Sequence, residues 1–170
     1  AIRFDESKVR PMGRTSTGVR GITLDEDDDY VVGMIALDKN TEETIMIVSE
    51  LGYGKRSDIE DYRITNRGAK GVKTINITEK TGKLISIQTV TDDNNLMIIN
   101  KSGIAIRLDV STIRVMGRAT QGVRLINLEK RGDQIASICK VDADPEEPEV
   151  EELSDGITSE NTDVANTDNN

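Results

Sequence analysis

"RVMGRATQGVR", Arg114–Arg124, decides the fold because it is not alone. Moved back by 51 positions, "GIAIRLDVSTIRVMGRATQGVRLINL" (Gly103–Leu128) falls on "GYGKRSDIEDYRITNRGAKGVKTINI" (Gly52–Ile77) without a gap. The opening residues "AIRFDESKVRPMGRTSTGVRGI" (Ala1–Ile22) match Ala105–Ile126 at 13 of 22 positions. The chain therefore opens inside a repeat and is expected to be a piece of a longer protein. Self-similarity at a period of roughly fifty residues marks an array of supersecondary units that bury their apolar faces against one another.

Each copy has the same parts in the same order. An apolar run comes first: "YVVGMIAL" (Tyr30–Leu37), "LISIQTV" (Leu84–Val90) or "IASICKV" (Ile135–Val141). After a polar turn comes "TIMIV" (Thr44–Val48) or "LMII" (Leu96–Ile99), then a strand holding Arg-x-Asp. A basic glycine loop closes the unit and leads into "GVRGITL", "GVKTINI" or "GVRLINL". Short Ile/Val/Thr-rich runs bounded by Gly, Asn and Asp predict strands, and no helix is predicted. The expected fold is all-β: a partial, propeller-like array of four-stranded blades over 1–141, with a stacked solenoid as the other architecture.

Composition narrows the chemistry. With no histidine and one cysteine, Cys139, an intrachain disulfide, a Cys/His zinc site and a histidine-dependent triad are excluded. No P-loop, dinucleotide-binding glycine motif or nucleophile–base pair stands out. Cys139 sits in an apolar run and is expected to be buried. No apolar run is long enough to predict a membrane helix, and the cysteine usage fits a reducing cytoplasm. The net charge of −9 is unevenly spread. Residues 142–170 hold eleven acids and no Lys or Arg, whereas 1–141 holds 22 basic and 20 acidic residues. The segment 142–170 is thus expected to be a disordered acidic tail, which either competes with an anionic ligand for the body or serves only as a solubilising segment that touches nothing.

Three basic positions recur in register: Arg10, Arg63 and Arg114; Arg14, Arg67 and Arg118; Arg20, Lys73 and Arg124. In an array they would line one edge. Gly18, Gly71 and Gly122, each before a valine, are expected to supply a backbone angle closed to other residues and to start a buried strand. Gly13, Gly68 and Gly117 would let backbone approach a partner, and N–H groups beside arginine suit phosphate. Lys55 would add a cation in one blade only, since Ile106 holds its place in the next. Arg3-x-Asp5, Arg56-x-Asp58 and Arg107-x-Asp109 read as blade-to-blade salt bridges. With 2% aromatic residues there are no stacking platforms for single strands, and with no helix there is no major-groove reader. What remains is phosphate contact along duplex DNA, independent of sequence.

The copies "RPMGRTSTGVRGI", "RITNRGAKGVKTI" and "RVMGRATQGVRLI" resemble the C-terminal blades of the DNA gyrase A subunit family. The resemblance covers roughly 1–141 and extends to the acidic end. It implies a β-pinwheel that wraps duplex DNA, so that ATP-driven strand passage introduces negative supercoils. It also implies a gyrase B partner in an A2B2 heterotetramer, ATP and Mg bound elsewhere, and a bacterial, nucleoid-associated location in the cytoplasm. The family's box Gln-Arg-Arg-Gly-Gly-Lys-Gly is absent; "NRGAKG" (Asn66–Gly71) echoes it in part and adds Lys70 to the candidate DNA contacts. The family's cleavage tyrosine lies in the N-terminal part of that subunit, so none of Tyr30, Tyr53 and Tyr62 is assigned to it. The topoisomerase IV A-type subunit and a protein-interaction propeller remain the alternative readings.

Overall fold

The structure is a computed structural model and describes residues 1–38, 40–129 and 132–142. The expected tail lies outside the described residues except for Asp142. Two antiparallel sheets carry the fold. We number the strands β1 (Thr44–Ser49), β2 (Tyr53–Ser57), β3 (Leu84–Val90), β4 (Asn94–Asn100), β5 (Ala105–Asp109), β6 (Val123–Arg124) and β7 (Ile135–Asp142). One sheet has the order β3-β1-β2-β6 and the other β5-β4-β7. Helical structure among the described residues is confined to 3-10 turns, among them Glu6–Lys8, Ile59–Asp61 and Val110–Thr112. No helix of the described residues is long and apolar enough to cross a membrane.

The alternation along "TIMIV" explains the core. Successive side chains of a strand point to opposite faces. Met46 and Val48 join Val90, Leu96, Ile98, Val110, Ile113, Leu128 and Ile135 between the two sheets. Ile45 and Ile47 turn the other way and join Ile59, Tyr62 and Ile75. β1 is thus buried on both faces, which suits an unbroken apolar run. β4 is covered on one: Leu96 and Ile98 are buried, while Ile99 remains 38% exposed.

Four strands do make a blade, but not four from one repeat. β6 is the Gly-Val-Arg segment of the third copy, and it pairs with β2 of the second, Gly54 opposite Val123. The same exchange occurs one repeat earlier, where Val72 N–H donates to the Ala1 carbonyl at 2.7 Å and the Ala1 amine to the Val72 carbonyl at 2.8 Å. Each repeat therefore lends its last strand to its predecessor. The loan depends on glycine. Gly71 and Gly122 have φ of 84° and 87°. A Cβ on Gly122 would meet the Gly54 carbonyl oxygen at 2.6 Å, and one on Gly71 would collide with the Ala1 carbonyl. The valines that follow are half-buried rather than buried, and a strand forms only at 123–124.

Arg3 and Arg56, the arginines of the first two Arg-x-Asp copies, clamp successive repeats, with carbonyls as their main acceptors. Arg56, 5% exposed, donates to the Val110 and Ile113 carbonyls around the next 3-10 turn, to Asp92 Oδ1 at 2.6 Å and to Thr44 Oγ1. Arg3 repeats the pattern on the Ile59 and Tyr62 carbonyls, with Glu60 as its carboxylate. Asp5, Asp58 and Asp109 instead cap the 3-10 turns, accepting from the N–H groups of Ser7, Glu60 and Ser111.

Two expectations fail here. Tyr30–Leu37 forms no strand, and Tyr30, Val31 and Met34 are exposed. β3 pairs back to β1 and β7 to β4, each reaching over one basic loop. By that rule 30–37 would pair with a counterpart of β1 that the described residues do not contain. Ile35 and Leu37 still pack on the core, but no ladder forms. Cys139 is exposed. The register shifts at Ile99/Asn100, Ile138 packs on the core, and its neighbour 139 points away.

Replacing Gly122 by Val should cost at least about 2 kcal/mol, from positive-φ strain and the close carbonyl together. Gly117→Ala, where a Cβ meets nothing within 4 Å, should be near neutral. Thermal unfolding of the two variants checks the contrast.

Candidate nucleic-acid interface

The basic loops are built on turns that repeat in register. Ser16 N–H donates to the Gly13 carbonyl at 3.1 Å and Thr120 N–H to that of Gly117 at 3.2 Å. Turn conformations fall at 14–15, 67–68 and 118–119. Arg14, Arg67 and Arg118 each open their turn.

The loops stack directly on one another. Thr23 N–H donates to the Ala69 carbonyl, and Asn76 N–H to that of Thr120, at register-equivalent places. The arginines of the second and third turns act as struts. Arg67 reaches the Arg20 carbonyl at 3.2 Å and the Lys8 carbonyl at 3.0 Å. Arg118 reaches the Lys73 carbonyl at 2.7 Å. The three loops thus form one continuous row, as the array required.

The ten candidate cations then separate. The side chains of Arg10, Arg14, Arg20, Arg63, Lys73 and Arg114 are exposed and make no hydrogen bond or ion pair among the described residues. Arg67 and Arg118 are half-buried struts. Lys70 pairs with Asp25. Arg124 bonds Glu129 Oε1 at 2.6 Å and Tyr53 Oη at 3.0 Å, and lies 5.6 Å from the Tyr53 ring centroid. The six unengaged cations include all three at the first position, Arg10, Arg63 and Arg114. Six solvated cations standing in a row without carboxylate partners leave a field that suits a polyanion.

Lys55 belongs beneath this row rather than on it. Its residue is 0% exposed. Its ammonium donates to the carbonyls of Gly117, at 2.8 Å, and Arg118, and to Thr120 Oγ1 at 3.3 Å. Removal from water brings its pKa down to about 8; Arg118 adds to the fall and Asp61 opposes it. The sequence did carry a signal for this. Ile2 and Ile106 occupy the register positions, so the site faces inward. Tyr62 is buried, its hydroxyl 2.6 Å from Thr74 Oγ1, and burial pushes its pKa up.

A family model described as the DNA gyrase C-terminal domain, a β-propeller, matches residues 1–38, 43–91 and 94–140. The chain belongs to that family. Among gyrase A subunits, that of Staphylococcus aureus strain MRSA252 is 49% identical over 155 residues, covering 90% of this chain and 17% of that protein. That of strain NCTC 8325 is 47% identical over 165 residues, covering 95% and 18%. The chain thus spans less than a fifth of these relatives' length. A solved DNA gyrase A C-terminal domain superposes with a TM-score of 0.68 at 27% identity, covering 81% of this chain and 45% of that one. The C-terminal domain of DNA topoisomerase IV superposes with a TM-score of 0.72 at 23% identity, covering 82% and 43%. The latter is a likeness of fold. Sequence identity places the chain with the gyrase A C-terminal domains, and the two sheets described above are blades of their pinwheel.

Burial of Lys55 gives the gyrase-type fold a pH signature. The folded group loses its proton near pH 8, the unfolded one near 10.5. Between these values the unfolded chain binds the extra proton, so stability rises with pH across the window. It is lost again as pH falls to about 8. Melting temperatures from pH 7 to 10 should show this rise relative to Lys55→Ile, in which the Lys55 contribution disappears.

Proposed function

We propose that this chain binds duplex DNA along its row of basic turns and bends it, as the wrapping part of a DNA gyrase A subunit. The observation that carries this reading is the row itself: three stacked turns bearing six cations without a partner among the described residues. Each cation that neutralises a phosphate releases condensed counterions, which supplies affinity without reading bases. Bending a site of a few helical turns costs on the order of several kcal/mol, and contacts repeated from blade to blade offset it. The shortage of aromatic residues, 2% of the chain, speaks against single-stranded DNA as the ligand.

In the whole enzyme this wrap would set the sense of strand passage, so that ATP-driven turnover introduces negative supercoils. ATP and Mg would be held elsewhere, and gyrase B would be the partner in an A2B2 assembly in the bacterial cytoplasm, at the nucleoid. The candidate contacts divide into Arg10, Arg14, Arg20, Arg63, Lys73 and Arg114, free to meet phosphate, and Arg67, Lys70, Arg118 and Arg124, which would first give up or share an existing contact.

Replacing Arg10, Arg63 and Arg114 together by Ala should weaken binding to any duplex by a similar factor. The salt slope should flatten by about 0.9 for each phosphate no longer neutralised. Anisotropy titrations on two unrelated duplexes over a salt series provide the measurement; unchanged affinity in a folded triple variant refutes the reading.

A further inference from the structure

The three turns are stacked alike but not fastened alike. Lys55, Asp61 and Thr120 meet at the junction between the second repeat and the third turn. Lys55 holds the Gly117 and Arg118 carbonyls and Thr120 Oγ1 from beneath. Asp61 Oδ2 accepts from Arg118 N–H at 3.2 Å. Thr120 Oγ1 closes on the Gly117 carbonyl at 2.9 Å. One junction earlier the same positions hold Ile2, Lys8 and Ala69. None of those side chains can make the equivalent contact. Three polar residues, two from the second repeat and one from the third, are thus gathered at one turn and missing together from its counterpart.

We propose that Lys55 is a positioning residue that presets the turn 117–120 as the phosphate-holding turn of the row. The inference rests on the duplex-DNA reading above. C=O and N–H of one trans peptide point opposite ways. With the Arg118 carbonyl drawn down to the ammonium, the Ala119 N–H of the same peptide faces away from Lys55, and it has no partner among the described residues. A fixed, unpaired N–H backed by a cation is an anion-binding arrangement. The second turn has Ile2 beneath it and lacks this anchor; the third is held from below beforehand, which lowers the cost of contact.

The charges around Lys55 make the idea testable. Asp61, on the 3-10 turn, and Arg118 are the charged groups acting on it. Ile47, its partner across the ladder, is neutral. None of its three hydrogen bonds goes to a carboxylate. A phosphate arriving on the turn adds an anion near a buried ammonium that titrates at about 8. DNA then strengthens proton binding at Lys55, and by reciprocity protonation strengthens DNA binding.

The test uses the full chain, N-terminally acetylated because the Ala1 amine also has a lowered pKa. A random-sequence duplex is titrated calorimetrically at pH 8.5 in two buffers of unlike ionisation heat. The wild type should take up a fraction of a proton on binding. Lys55→Ile, which places there the residue of the other two repeats, should take up correspondingly less. It should also bind about fivefold more weakly at low salt, the lower range for coupling between two sites. Absence of proton uptake by the wild type overturns the proposal without any variant having to fold. So does a folded Lys55→Ile that matches the wild type in uptake and affinity; in either case a wild type that still binds leaves the DNA reading standing. A wild type that does not bind duplex at all refutes both.

Discussion

Where Gly122 passes over Gly54, two backbones lie so close that a Cβ would sit 2.6 Å from a carbonyl oxygen. Everything else follows from that approach. It lets Val123 complete the ladder on β2, and it brings the third basic loop against the second repeat. There Lys55 and Asp61 take hold of the turn, while Arg56 reaches across into the next 3-10 turn. A repeat that kept its last strand for itself would leave its basic loop with no neighbour to stack on. The glycine before each valine is thus a requirement of architecture, and the cationic row is its by-product.

Stacking cations in a row costs electrostatic energy, and the structure limits that cost in two ways. Some guanidinium groups are turned onto carbonyl dipoles, as Arg67 is onto Arg20 and Arg118 onto Lys73. Others stand fully in solvent, where water screens them. Carboxylates are kept mostly to other roles: Asp58 and Asp109 cap 3-10 turns, and Asp92 holds Arg56. Among the described residues the candidate row loses Lys70 and Arg124 to acids, and no more. A nearly balanced body can therefore show a basic edge.

Much of this was legible in the sequence, because a repeat states the same fact several times. Leu84–Val90 is a strand with the bounds its composition predicted, and the registered arginines come to lie on one row of loops. Periodicity gives the length of a unit, however, and not which unit a strand completes. The loan of Val123–Arg124 to the preceding blade was therefore hidden, and so was the failure of 30–37 to pair. Lys55 was misplaced because charge was weighed above register: a lysine between isoleucines at equivalent positions faces where they face. Cys139 was misplaced because the register shift before it reverses the expected face.

The lent strand also has a mechanical meaning. The turn 117–120 is followed within a few residues by β6, which is laced into a sheet whose two central strands, β1 and β2, belong to the preceding repeat. A tug on the turn is borne by the hydrogen bonds between Val123–Arg124 and Tyr53–Gly54 and by the grip of Lys55, not by its own blade alone. Tension in a curved duplex would pull neighbouring blades together as one body, in the manner of links in a chain. Stiffness under load is then a property of the junctions, and a single glycine at each junction decides whether the links close.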